Sequence, residues 1–82
     1  MNLIIDIGNT TTKLAVFQLD KIIEVQTIST KEVVMEVEKL LEKFSEIKHG
    51  LLSTVKTMDN LEVETLQKLL PIKILEASFK VP

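Results

Sequence analysis

The chain has 82 residues, 45% of them hydrophobic and 27% charged, which is the composition of one small globular unit and not of a disordered segment. It has no cysteine, and this excludes disulfides, thiolate zinc sites and a cysteine nucleophile. Ten lysines and no arginine stand against twelve acidic residues, and the three aromatics are all Phe. A net charge of −2, without arginine forks or stacking platforms, argues against a nucleic-acid partner.

The opening residues lack a basic region, and Asp6 interrupts the first apolar run. No apolar stretch approaches the ~18 residues of a membrane span, so the expectation is a cytoplasmic protein without a membrane partner.

In chain order, Leu3-Ile4-Ile5 is a short apolar run ending in a turn cluster over residues 6–10, the pattern of a strand buried on both faces. Residues 12–17 and 22–28 read as two further strands. Leu19-Asp20-Lys21 between them is short enough for a hairpin, although it lacks the preferred glycine. The period then changes. Val33, Val34, Val37, Leu40, Leu41 and Phe44 form one stripe of a helix, with Glu32, Glu36, Glu38, Lys39, Glu42 and Lys43 on its solvated face. Ser29 and Glu32 have capping-box spacing, with Thr30 as the competing N-cap.

Residues 50–55 read as a strand returning after that helix. Asp59 or Asn60 is placed to cap a second helix whose inward positions are Val63, Leu66, Leu69 and Leu70. Pro71 ends it, and residues 72–75 form a last short strand. The predicted order is β-β-β-α-β-α-β, an α/β fold in which an antiparallel meander is continued by parallel strands through right-handed crossovers. Apolar residues continue to the C-terminus (Ala77, Phe79, Val81), and two helices are too few to cover both faces of such a sheet. The 82 residues therefore read as the N-terminal part of a larger domain, or as a unit that must cover its sheet with a partner.

The stretch that carries chemistry is Asp6-Ile7-Gly8-Asn9-Thr10-Thr11-Thr12-Lys13. Asp6 sits at a strand's carboxyl end, where open α/β sheets bind ligands, and its hard oxygens suit Mg²⁺. Gly8 permits positive φ and close backbone approach. Turn amides and the hydroxyls of Thr10, Thr11 and Thr12 are donors for phosphate oxygens, and Lys13 adds a cation. Gly-Asn is equally ordinary turn chemistry, and Thr is a good strand former, so residue types alone leave a purely structural reading open.

The string itself goes further. MNLIIDIGNTTTKLAVF resembles the opening segment of the type III pantothenate kinases, of the actin-like ATPase superfamily that includes acetate and sugar kinases. Leu51-Leu52-Ser53-Thr54-Val55 is similar, more loosely, to the family's strand ending in a Ser-rich turn. Sugar kinases of the superfamily usually carry a second glycine where this chain has Asn9. The resemblance implies a ribonuclease H-like, actin-like ATPase half-domain. It further implies that Asp6 helps organise Mg²⁺ and that Asp6, Ile7, Gly8, Asn9, Thr10, Thr11, Thr12 and Lys13 form the ATP-binding loop.

The family phosphorylates pantothenate with ATP in coenzyme A synthesis, requires a monovalent cation (K⁺ or NH₄⁺) and works as a homodimer. Its Gly-x-Asp-Arg segment, catalytic Asp and second phosphate loop fall beyond residue 82. This chain has no Arg and no Gly after Gly50, so no catalytic residue is expected within it. The alternatives are another small-molecule kinase with the same loop, or a non-catalytic nucleotide-binding regulatory module. Lesser candidates read more simply as structure: His49 as a solvated loop residue, Asp59 as a helix cap, and Ser53-Thr54 as strand-end residues near the site.

Overall fold

The computed structural model describes residues 1–54 and 60–75. Five strands, β1 (Asn2–Ile7), β2 (Thr11–Gln18), β3 (Lys21–Ser29), β4 (His49–Thr54) and β5 (Ile72–Leu75), form one mixed sheet in the order β3-β2-β1-β4-β5. β1, β2 and β3 pair antiparallel, while β4 lies parallel to β1 and β5 parallel to β4. Helix α1 (Val33–Lys43) links β3 to β4, and α2 (Asn60–Leu69) links β4 to β5. The expected element order is the observed one. His49 opens β4 instead of preceding it.

Both helices pack on the same face of the sheet. Leu3, Ile5 and Ile7 of β1, Leu14 and Val16 of β2 and Leu52 of β4 join Val33, Val37 and Leu40 of α1 and Leu66 of α2 in one buried cluster. Val34, Leu41 and Phe44 flank it, so the stripe read from the sequence is the packed one. Leu70, just beyond α2, is buried as expected, while the side chain of Val63 lies outside the described residues.

The expectation that β1 is buried on both faces is corrected. Its odd positions are fully covered, whereas Asn2 and Asp6 are exposed and Ile4 is half-buried. The reason is one-sided coverage. On the opposite face Ile22, Val25 and Leu51 stay exposed at 59%, 53% and 38%. That face also holds an open, mainly apolar cavity of about 630 Å³ lined by Ile4, Phe17, Leu19 and Leu51 among others.

The expected capping box at Ser29 and Glu32 does not form. Ser29 ends β3 in extended conformation and makes no side-chain cap bond, and residues Thr30–Glu32 form a 3₁₀ turn before α1. The cap expected at Asp59 or Asn60 lies outside the described side chains, as do Val55, Ala77, Phe79 and Val81. An ion pair ties α1 to the sheet, with Lys43 Nζ 2.8 Å from Glu24 Oε1. This hydrogen bond chiefly holds the Glu24 carboxyl below its ordinary value, against a smaller opposing effect of burial. The contact therefore contributes at neutral pH and is lost as the pH falls through that lowered pKa.

The hairpin tip carries strain. Leu19, 91% exposed, has φ 59°, a left-handed conformation that costs an L-residue with a Cβ roughly 1–2 kcal/mol. We expect Leu19→Gly to stabilise the protein by about 0.5–1 kcal/mol, the relief exceeding glycine's extra unfolded-state entropy. A raised urea midpoint at unchanged slope checks this, and a lowered midpoint would show that the Leu19 side chain contributes more than its backbone costs.

Candidate functional site

The sheet register assembles the site. Asp6 is paired with Lys13 on the antiparallel side and with Ser53 on the parallel side. Lys13 is paired in turn with Thr27. Directly opposed residues point to the same face, so Thr27, Lys13, Asp6 and Ser53 form one polar row across four strands. The row lies on the face that carries no helix among the described residues, near the carboxyl ends of β1 and β4, the edge at which open α/β sheets bind ligands. Asp6, Lys13 and Thr27 are exposed and Ser53 is half-buried. Ion pairs among the described residues join Lys39 to Glu36 and Lys43 to Glu24, and neither includes Asp6 or Lys13. A carboxylate and an ammonium thus stand side by side, both open to a ligand.

The turn between β1 and β2 rises next to this row. Gly8 N donates to Thr11 O at 2.9 Å and closes the turn over Asn9 and Thr10, both exposed. Gly8 was expected to supply positive φ, but no glycine here has it. What requires glycine is close approach, since a Cβ at position 8 would lie 2.9 Å from the Thr11 carbonyl oxygen. The Gly8 amide is therefore engaged within the turn. Among the described residues the amides of Asn9 and Thr10 make no backbone hydrogen bond, and the side chains of Asn9, Thr10 and Thr11 are exposed.

The remaining two residues of the expected loop face the other way. Ile7 is fully buried in the apolar cluster. Thr12 was expected to donate to phosphate, yet it is 0% exposed, and its hydroxyl lies 2.9 Å from that of Thr30. Strand alternation explains the split: Thr11 and Lys13 project to the open face, and Thr12 between them projects under the helices.

Sequence reasoning placed Ser53 only near a strand end. Its register with Asp6 depends on parallel pairing between segments 47 positions apart, although in each strand the polar residue directly follows an apolar run, Leu3-Ile4-Ile5 before Asp6 and Leu51-Leu52 before Ser53. The role of Thr30 in this region had no sequence signal beyond its place as a possible cap. His49 is exposed at the far end of β4, beside Asn2. It belongs to the rim of the apolar cavity, about 13 Å along the strands from Asp6. None of the residues lining that cavity belongs to the polar row.

Comparison with known proteins decides what this arrangement belongs to. A family model for type III pantothenate kinase matches residues 2–79. The chain belongs to the type III pantothenate kinase family. Among curated relatives, the type III pantothenate kinase of Christiangramia forsetii is 38% identical over 60 residues, covering 73% of this chain and 25% of that protein. The enzyme of Phocaeicola vulgatus is 35% identical over 82 residues, all of this chain and 33% of that protein. The chain thus spans a quarter to a third of the length of these relatives. As a member of this family, it presents its DIGNTTTK segment at the carboxyl end of β1, beside that of the parallel strand β4.

Proposed function

We propose that the complete protein transfers the terminal phosphoryl group of ATP to pantothenate, and that this chain forms the phosphate-binding side of the cleft. The observation that carries this reading is the Lys13–Asp6–Ser53 row beside an exposed turn, in a chain of the pantothenate kinase family. The Lys13 ammonium attracts phosphate oxygens, while the amides of Asn9 and Thr10 and the side chains of Asn9, Thr10 and Thr11 donate hydrogen bonds to them. Ile7 and Thr12 support the turn from behind. Ser53 adds a hydroxyl to the same row.

The donor set fits Mg²⁺ of the water-retaining kind. Asp6 offers hard carboxylate oxygens that no ion pair engages among the described residues, and no cluster of three or more His, Cys, Asp or Glu forms an all-protein cage there. Bound Mg²⁺ would supply neutralisation of the phosphate charge. We assign no residue here to the monovalent cation (K⁺ or NH₄⁺).

Phosphoryl transfer rests on positioning and on charge stabilisation, and this chain provides for the donor only. The acceptor side needs residues outside these 82, so we read the chain as the N-terminal part of a kinase domain, active as a cytoplasmic homodimer. No described helix is long and apolar enough to cross a membrane.

The test is Lys13→Ala in the complete protein. Loss of a charged hydrogen bond to phosphate, worth about 1.5–3 kcal/mol, is expected to weaken ATP binding at least about tenfold while leaving adenosine binding within about twofold. Calorimetry with both ligands reads the difference. Equal effects on the two, or none, would remove Lys13 from the phosphate site, and absence of pantothenate-dependent ADP release by the wild-type protein would favour the non-catalytic module.

A further inference from the structure

We propose that Thr30 is the positioning residue of the phosphate loop, holding it from behind at three points, two backbone carbonyls and one hydroxyl. The inference rests on the phosphate-site reading above and assigns part of its machinery to a residue outside the motif. Thr30 lies at the junction of β3 and α1, 22 positions from Gly8, and is 8% exposed. Its hydroxyl donates to the Gly8 carbonyl at 3.1 Å. That uses its one hydrogen, so the 2.9 Å contact with Thr12 has the Thr12 hydroxyl as donor and the Thr30 oxygen as acceptor. The Thr30 backbone N–H donates to the Thr10 carbonyl at 2.9 Å. One residue thus holds the Gly8 and Thr10 carbonyls and the Thr12 hydroxyl, while Asn9, Thr10, Thr11 and Lys13 stay exposed on the ligand side.

Two further facts separate this arrangement from ordinary helix capping or packing. The helix start receives no side-chain cap bond, so the Thr30 hydroxyl serves the loop and not the helix. Thr12 and Thr30 are also the buried polar residues among those described, set against an apolar cluster in which valine would fill the same volume. Burying two hydroxyls is tolerated only because they satisfy one another and the Gly8 carbonyl. What the pair supplies that two valines would not is a fixed direction for the loop backbone. A loop whose backbone is held in place does not need to be ordered by the nucleotide, so less of the binding free energy is lost on immobilisation.

The experiment uses the complete protein with Thr30→Val, Thr30→Ser and Thr12→Val, measuring kcat, KM for ATP and for pantothenate, and adenosine affinity. Thr30→Val leaves the Gly8 carbonyl without its partner and is expected to raise the ATP KM about tenfold, with pantothenate KM and adenosine affinity within about twofold. Thr30→Ser keeps the hydroxyl and is expected to stay within about twofold of wild type throughout. A merely structural role would lower the active fraction, and hence apparent kcat, without moving the ATP KM alone. A folded Thr30→Val protein with wild-type ATP KM overturns the proposal, and so does equal damage from Thr30→Ser. Should Thr30→Val fail to fold, Thr12→Val carries the test, with an expected rise of about threefold in ATP KM; an unchanged value there is equally fatal. Lys13→Ala, run alongside, separates the two readings. If it too leaves ATP affinity unchanged, the phosphate-site assignment has failed; if it weakens ATP and the threonine variants do not, only the role of Thr30 has.

Discussion

Asp6→Asn is expected to lower pantothenate-dependent turnover of the complete protein about 100-fold or more, the scale seen when one preorganised electrostatic group is removed from an active site. The substitution keeps the shape of a side chain exposed at the end of a central strand, so stability is expected to stay within about 0.5 kcal/mol. Only the charge and the hard anionic oxygen are lost. An amide is a poor Mg²⁺ ligand, and phosphoryl transfer depends on neutralising charge on the transferring group. Removing the carboxylate also takes a negative charge away from the phosphates and from Lys13, its cross-strand neighbour. ATP affinity measured without Mg²⁺ is therefore expected to hold or to improve slightly, while the Mg²⁺ concentration needed for half-maximal rate rises. A magnesium titration of turnover, beside metal-free nucleotide binding, reads both. Wild-type rate with wild-type Mg²⁺ dependence would place Asp6 outside the site.

Gly8→Ala is expected to damage the loop through its backbone. The added Cβ would meet the Thr11 carbonyl oxygen at 2.9 Å, and that oxygen is main chain, unable to swing aside like a side-chain tip. The turn must open, which stretches the Gly8 N–H bond to the same oxygen and pulls on the Gly8 carbonyl held by Thr30. Overpacking of this kind costs about 1–3 kcal/mol, and we expect a lowered melting temperature together with at least a tenfold loss of ATP affinity. Asn9→Ala is the control. It changes an exposed neighbour without touching the turn closure, so stability is expected to move by less than about 0.5 kcal/mol. Gly8→Ala at wild-type melting temperature and ATP affinity would mean that the turn has slack which the 2.9 Å approach denies.

These variants act on a site whose parts differ in how far the sequence reveals them. The meander, α1 and the order of elements follow from patterns confined to short windows: the Leu3-Ile4-Ile5 run, the stripe from Val33 to Phe44, and Pro71 between α2 and β5. Local sterics and apolar periodicity act within a single element, so they can be read without knowing its neighbours. The DIGNTTTK string, with a carboxylate, a glycine, hydroxyls and a lysine in eight residues, is likewise local, and it was enough to indicate the family.

What the tertiary structure alone decided are relations between elements. Packing of α1 and α2 on one face turned β1 from a doubly buried strand into a half-exposed one, and that exposure is what opens Asp6 to a ligand. The same alternation removed Thr12 from the ligand side and buried it against Thr30. Gly8 has its identity from the position of the Thr11 carbonyl, not from its own φ. Ser53 stands beside Asp6 only because β4 pairs with β1 in this register, and a slip of one residue would turn its side chain to the helices. Register, facing and contact across 18 to 47 positions are set by the joint packing of strands and helices, and no window of a few residues contains that information.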